Sequence, residues 1–321
     1  MTQSTSCNLR MPSTVGHLPE ATSLWRSPEL DHLGAAILCT VAYADVFDYP
    51  LTAVQIHRYL VGKATTLDTV RRALHADRGA GAKLEQRDGY YVLPGRASLV
   101  DLRQRRTHVS TRMWPQAVRY AEAISRLPFV RLVALTGALT MDNVDADDDL
   151  DFLIVTEPGR LWLTRAIVIG LVVKPASHWG NEVCPNYLLS ERALAFQDRN
   201  LYVAHELSQM VPLAGVDLYR QIRDANAWTR RFLPNAAGPP RTIGALTDRR
   251  PSIRSLSESL LRTPIGAGVE QWERKRKIRR FQTLAGATAS FDEDHCKGHF
   301  RSNEQRVLQA FAERLRCLER A

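Results

Sequence analysis

The sequence predicts a mixed α/β fold of the α+β kind, and three observations carry this. Three helices followed by a hairpin fill residues 31–95; an apolar strand, a glycine turn and a second apolar strand follow at 129–156; beyond 216 the pattern is helical. At 321 residues and 45% hydrophobic, the chain can bury more than one core of ordinary size. Five segments are expected: a flexible arm over 1–28, a helix–hairpin domain over 29–96, a helical connector over 97–128, an α/β core over 129–215 and a helical region over 216–321.

Charge and cysteine narrow the function classes. Lys and Arg total 43 against 34 Asp and Glu, for a net charge of +9, which suits a phosphate-rich or nucleic-acid partner as well as a merely solvated surface. Five scattered cysteines, none in C-x-x-C spacing, exclude a disulfide framework and a zinc finger and point to a reducing compartment. The opening "MTQSTSCNLRMPSTVGHLPEATS" has no continuous apolar stretch of the secretory kind, and "AIVIGLVV" (166–173) is too short to span a bilayer. It reads as a buried helix. A cytoplasmic protein without membrane partners is expected.

The first domain is justified element by element. "HLGAAILCTVAYADVF" (32–47) is a compact apolar helix. Asp48 and Pro50 break the chain, Thr52 caps a second helix, and Val54, Ile56, Tyr59 and Leu60 form its apolar face. Thr66 caps a third, with Val70, Ala73 and Leu74 inward. "AKLEQRDGYYVLPG" alternates around Asp88-Gly89, a dipeptide favoured in tight hairpins. Three helices and a hairpin in this order resemble a winged helix-turn-helix domain over ~60 residues. The resemblance implies that Arg71, Arg72 and His75 of the third helix meet either a DNA major groove or a protein surface. Two arginines and one histidine make a short basic face, which favours packing or protein contact. In the connector, Arg103, Arg105 and Arg106 are expected on a solvated face.

The α/β core holds the sharpest signal. "FVRLVAL" (129–135) reads as a strand, and Gly137 follows it closely. Six aspartates then fall within the ten positions from Asp142 to Asp151, immediately before apolar Phe152–Val155. "GRLWLTRAIVIGLVV" reads as helix and "VCPNYLLS" (183–190) as a third strand. Asp149 and Asp151, two apart on an extended chain, point to one face with Cα atoms about 6.6–7 Å apart, while Leu150 between them faces the core. Two carboxylates so placed can share hard divalent cations. A glycine just after a strand lets backbone amides approach a phosphate. The alternative is an acidic loop neutralised by the many arginines.

Together these residues resemble the nucleotidyltransferase superfamily that includes DNA polymerase beta and the aminoglycoside nucleotidyltransferases. Its Gly-Ser at a strand end and Asp-x-Asp entering the next strand correspond to Gly137-Ala138 and Asp149-Leu150-Asp151, over some 60–80 residues. The resemblance implies a metal-dependent transfer of a nucleoside monophosphate from an NTP to an unidentified acceptor. Asp149 and Asp151 would then hold two Mg2+ ions, and the Gly137 turn would seat the triphosphate. The chain departs from the pattern twice. Ala138 replaces the usual serine, with Thr136 or Thr140 as possible substitutes for its hydroxyl. The strand that often carries a third acid offers Asn186, which can ligate but cannot accept a proton as a carboxylate does. These departures imply the alternative: a weakened nucleotide-binding or sensor protein with a winged-helix contact module.

Other motifs carry less. An EF-hand beginning at Asp145 fails at its sixth position, Leu150, and its twelfth, Thr156. His295, Cys296 and His299 lack a fourth ligand and a zinc spacing. Six basic residues in the seven positions from Arg274 to Arg280 read as a solvated helix face, or as a lure for triphosphate or nucleic acid. Trp228 and Phe232 read as core, and helices are expected to end at Pro212 and Pro234.

Overall fold

The computed structural model describes residues 31–76, 78–178, 180, 182–244, 251–284, 291–297 and 300–320. It opens with α1 (His32–Asp45), whose N-cap Asp31 accepts the Gly34 amide at 2.7 Å. Its sequence is apolar on every side, so nearly the whole helix is buried. β1 (Leu51–Thr52) leads into α2 (Ala53–Arg58) through a capping box between Thr52 and Gln55. α3 (Leu67–Leu74) is capped by Thr66. β2 (Glu85–Arg87) and β3 (Tyr90–Val92) form the hairpin, with Asp88 at φ 52° and Gly89 at φ 79°. The small antiparallel sheet has the order β1-β3-β2. One detail differs from expectation. Val54 lies on the outer side of α2, 52% exposed, while Ile56, Tyr59 and Leu60 are buried.

α4 (Leu99–Ser125) fulfils the connector and carries Pro115 within it. β4 (Val130–Leu135) and β5 (Leu150–Thr156) pair antiparallel, and a helical run follows: α5 (Leu161–Val168), a π-helical stretch Ile169–Val173, and α6 (Lys174–His178). That run is less buried than its composition suggests, since Leu171 is exposed while Val168 and Val172 are not. β6 (Val183–Ser190) lies parallel to β5. α7 (Leu201–Gln209) ends before β7 (Val211–Ala214), so Pro212, expected to close a helix, sits inside a strand. That strand is at the edge of the sheet, where a residue without an N–H is tolerated. α8 (Val216–Ala225), α9 (Thr229–Phe232), α10 (Pro251–Leu261), α11 (Pro264–Leu284) and α12 (Phe300–Arg320) supply the helical C-terminal region, interrupted by β8 (His295–Lys297). The main sheet therefore has the order β7-β4-β5-β6-β8. Among the described residues no helix is long and apolar enough to cross a membrane.

Alternation along the strands divides the interior into two cores. Val133, Leu135, Phe152, Ile154 and Leu188 face α4 and α5. Leu132, Ala134, Leu153, Val155 and Leu189 face the other way, into one continuous cluster with α1, α2, α3, α7 and α12. The N-terminal helices thus share a core with the large sheet. Two polar links reinforce the junction: Tyr49 Oη donates to the Met141 carbonyl at 2.7 Å, and Arg314 Nε donates to buried Asp45 at 2.7 Å.

Several basic residues are placed differently from expectation. Arg103 is 5% exposed; it donates to Asp142 O at 2.7 Å and to Tyr49 Oη at 3.0 Å, and lies over the Tyr49 ring at 4.4 Å. Arg106 pairs with Asp145 at 2.7 Å, so within this trio Arg105 alone is fully exposed. Both placements correct the solvated-face expectation, because α4 packs directly beneath the acidic loop. Arg71, Arg72 and His75 are exposed, outward as expected, so of the two contacts favoured for this helix, packing through them is not seen among the described residues. In α11, Arg276 and Lys277 lean on buried Glu273, and Arg274 reaches Glu293, so part of the basic run is neutralised. Trp228 and Phe232 meet edge to face at 5.9 Å, partly buried against the core.

Candidate active site

The site begins where β4 ends. Gly137 has φ 71° and ψ −162°, a region open essentially to glycine alone. A Cβ there would collide with Oδ2 of Asp151 and lie 3.2 Å from its Cβ and Cγ. The turn Ala138–Met141 follows, and its opening amides, Ala138 and Leu139, have no backbone acceptor among the described residues. The Thr136 amide donates to the Asp151 carbonyl at 2.9 Å, tying the glycine turn to the second strand. The two threonines proposed to replace a serine hydroxyl are committed elsewhere. Thr140 Oγ1 donates to Gly137 O at 2.8 Å and Thr136 Oγ1 to Asp151 O at 3.4 Å, and both residues are buried. Each hydroxyl has one proton, so neither is free to donate to a phosphate in this conformation.

The acidic stretch separates into two kinds of residue. Asp142 accepts Trp114 Nε1 at 2.8 Å and Arg241 at 2.8 Å, and Asp145 pairs with Arg106 while its amide is held by Asp148 at 2.8 Å. For these the arginine-neutralised loop is the right description. Asp149 and Asp151 have no cationic partner among the described residues. They converge instead with Cys184, their ligand atoms and its sulfur all within 4.8 Å of one another. Leu150, between them, is buried in the opposite core as expected.

Cys184 is the residue that the sequence reading missed. It pairs directly with Asp151 across the parallel β5–β6 register, and Tyr187 pairs with Leu153, so Pro185 and Asn186 together lie opposite Phe152 in an irregularity. Asn186, chosen as the third ligand, therefore sits two residues beyond the position aligned with Asp151. A small polarisable residue opening the third strand was the available signal.

Electrostatics make the pair unusual. Burial, then the charges of Asp149 and Glu206, push Asp151 up to about 8. Burial, then Asp151 and Asp149, push the Cys184 thiol well above its ordinary range, so it stays protonated. Glu206 on α7, also missed from sequence, is pushed up to about 7 by burial, against the opposing pull of Lys297. Its neighbour His205 is pushed down to about 3 by burial and is neutral.

The donor set fits a divalent cation in part. Two uncompensated carboxylates suit a hard ion of the magnesium type, whereas a thiol does not belong in its shell. His295 makes a local contact with Asp292 at 3.1 Å, and His299, the third member of that proposed group, lies outside the described residues.

A cavity of about 220 Å3 opens beside the turn. Gly137 and Ala138 form one wall, α1 and Tyr49 and Tyr59 another, and Tyr202, His205 and Glu206 of α7 a third. With this geometry in hand, comparison with protein-family models, with curated proteins and with solved structures returned no match.

Proposed function

We propose that this chain is a metal-dependent nucleotidyltransferase: a nucleotidyltransferase-like α/β core carrying an N-terminal winged-helix-like domain. The observation that carries this reading is the fit of Gly137 against Asp151, with Asp149 alongside. It joins a close-approach glycine turn to a carboxylate pair left without cationic partners, the combination expected of a phosphate seat beside a metal seat. The element order α1, β1, α2, α3, β2, β3 supports the winged-helix designation.

In the reaction, an acceptor hydroxyl oxygen attacks the α-phosphorus of an NTP, the bond to the pyrophosphate oxygen breaks, and the acceptor's proton passes to solvent. Asp149 and Asp151 would hold Mg2+, which supplies charge neutralisation for the leaving pyrophosphate. The chain's own contribution is placement. Gly137 lets the backbone approach the phosphates without a side chain between, and β5 fixes Asp151 on a paired strand with Asp149 at the loop residue just before it. Pyrophosphate release from NTPs with magnesium, compared between the wild type and Asp149→Asn/Asp151→Asn, tests this directly.

Specific observations favour a second reading. The third strand brings Cys184, not an acid, against Asp151, Ala138 lacks a hydroxyl, and Thr136 and Thr140 are committed to backbone carbonyls. A site so depleted suits a protein that binds a nucleotide without turning it over, and calorimetry showing NTP binding without pyrophosphate release identifies that case.

A further inference from the structure

The cavity beside Gly137 carries one charge. Among its described lining residues Glu206 is the single acid, no lysine or arginine stands on the wall, and His205 is neutral. The helix turns Glu206 toward the cavity. Tyr202, His205, Glu206 and Gln209 all line it and recur at i, i+3, i+4 and i+7 of α7, which makes them one face. Much of the remaining polar lining is committed elsewhere. Thr40 Oγ1 donates to Ala36 O at 2.7 Å, Tyr49 Oη to Met141 O at 2.7 Å, Tyr59 Oη to the Met141 sulfur at 3.2 Å and Asn143 Nδ2 to Phe47 O at 3.2 Å.

The Glu206 carboxylate has no such commitment. Among the described residues no hydrogen bond or ion pair reaches it, and the cation that acts on it, Lys297, is bonded to Asp198 at 3.0 Å. Arg58 and Arg103 lie over the Tyr59 and Tyr49 rings, but both stand outside the lining and donate to backbone carbonyls. Glu206 is also outside the convergence of Asp149, Asp151 and Cys184, although its charge is felt at Asp151. Its oxygens are open to a water-sized molecule, whereas His205 Nε2 is sealed. A carboxylate drawn into the interior is ordinarily matched by a positive charge. Here the chain places none beside it.

The rest of the wall selects the kind of cation. Tyr43, Phe47, Tyr49, Tyr59 and Tyr202 contribute aromatic surface, which attracts organic cations as well as apolar groups. An apolar cavity of ~150 Å3 accommodates benzene, so one of about 220 Å3 has room for a ring with a short arm. An anion is repelled by Glu206 and by Asp149 and Asp151 nearby. A neutral molecule leaves the carboxylate unmatched, and a bare inorganic cation leaves the aromatic walls unfilled.

We propose that this cavity binds a small organic monocation, a protonated amine on an apolar or aromatic body, whose ammonium group pairs with the Glu206 carboxylate. The inference goes beyond the catalytic reading and does not rest on it, because the transfer described above uses neither Glu206 nor these rings.

The test is calorimetric titration of the full chain, without metal or nucleotide, at about pH 8, where both partners are ionised. The probes are benzylamine and phenethylamine, their neutral counterparts benzyl alcohol and 2-phenylethanol, and the anion phenylacetate. At least one amine is expected to saturate a single site and to bind at least about tenfold more tightly than its alcohol or phenylacetate. Glu206→Gln keeps the shape of the side chain and removes the charge. It is expected to abolish the preference for amine over alcohol, while alcohol binding holds and the thermal midpoint does not fall. General damage to the cavity instead weakens amine and alcohol together. Failure of both amines to saturate the wild type overturns the proposal. So does equal affinity for amine and alcohol, or an undiminished preference in folded Glu206→Gln. Amine binding lost in Asp149→Asn/Asp151→Asn but kept in Glu206→Gln places the ammonium on the other carboxylates and also overturns it. If Glu206→Gln does not fold, the comparison of amine with alcohol on the wild type decides alone. Pyrophosphate release is measured separately. Amine binding without release leaves this inference standing and removes the catalytic reading; release without amine binding does the reverse.

Discussion

Gly137 and Asp151 occupy each other's space: the α-hydrogen of the glycine faces the carboxylate at a distance that no other side chain permits. Two constraints act on the position at once, the positive φ and the carboxylate. Gly137→Ala is expected to cost at least about 2 kcal/mol of unfolding free energy by urea titration. In an Asp151→Gly background the steric part disappears and the dihedral part remains, so the cost is expected to fall by about 1 kcal/mol. Identical costs in both backgrounds contradict the contact.

Asp151 makes metal-free stability depend on pH. Its folded value of about 8 lies above the ordinary 3.8, so the folded state holds the proton more tightly than the unfolded chain. Its contribution is fully present below the unfolded value and is lost as pH rises through that window to about 8. Asp151→Asn is expected to flatten this decline in urea titrations from acid to mildly alkaline pH. A cation reverses the sign, because it needs the ionised form. Magnesium is therefore expected to raise the melting midpoint more at about pH 8.5 than at about pH 5.5 in the wild type, and at neither in Asp149→Asn/Asp151→Asn.

His205 sets the opposite limb. Its folded value of about 3 lies below the ordinary 6.5, so its contribution is present above 6.5 and is lost as pH falls toward 3. His205→Phe is expected to remove an acid-side loss approaching 1.4 kcal/mol per pH unit. Coincident acid limbs in the two proteins contradict the burial of a neutral imidazole.

The connector helix separates its arginines sharply. Arg103→Met leaves Asp142 O without its donor and takes one of two from Tyr49 Oη, and is expected to cost about 2–3 kcal/mol. Arg105→Ala, on the exposed side, is expected to stay within about 0.5 kcal/mol. Arg71→Ala/Arg72→Ala, also exposed, is expected to leave the melting midpoint unchanged. A duplex titration at low salt then reports whether the pair serves DNA, through loss of affinity and of salt slope.

Much of this was legible in the sequence, and the reasons are local. Thr52 and Thr66 announce their caps, Asp88-Gly89 its hairpin, and Asp149-x-Asp151 its shared face, because each depends on residues a few positions apart. What escaped depends on register between distant segments. Cys184 meets Asp151 only because β6 lies parallel to β5, and the irregularity at Pro185 and Asn186 shifts the partner expected there. β7 and β8 are four and three residues long, too short for a period to show, and Pro212 argues against a strand until its edge position is known. His205 and Glu206 read as ordinary helix residues until α7 closes over the site. Arg103 reads as surface because nothing nearby in sequence reveals Tyr49 and Asp142 above it.

The central claim is tested most directly by pyrophosphate release from each of the four NTPs, with magnesium and a panel of hydroxyl-bearing acceptors, in the wild type and in Asp149→Asn/Asp151→Asn. The account predicts release by the wild type with at least one NTP, dependence on the cation, and loss of at least about a hundredfold in the double variant, with folding retained by circular dichroism. Full turnover by the double variant contradicts it.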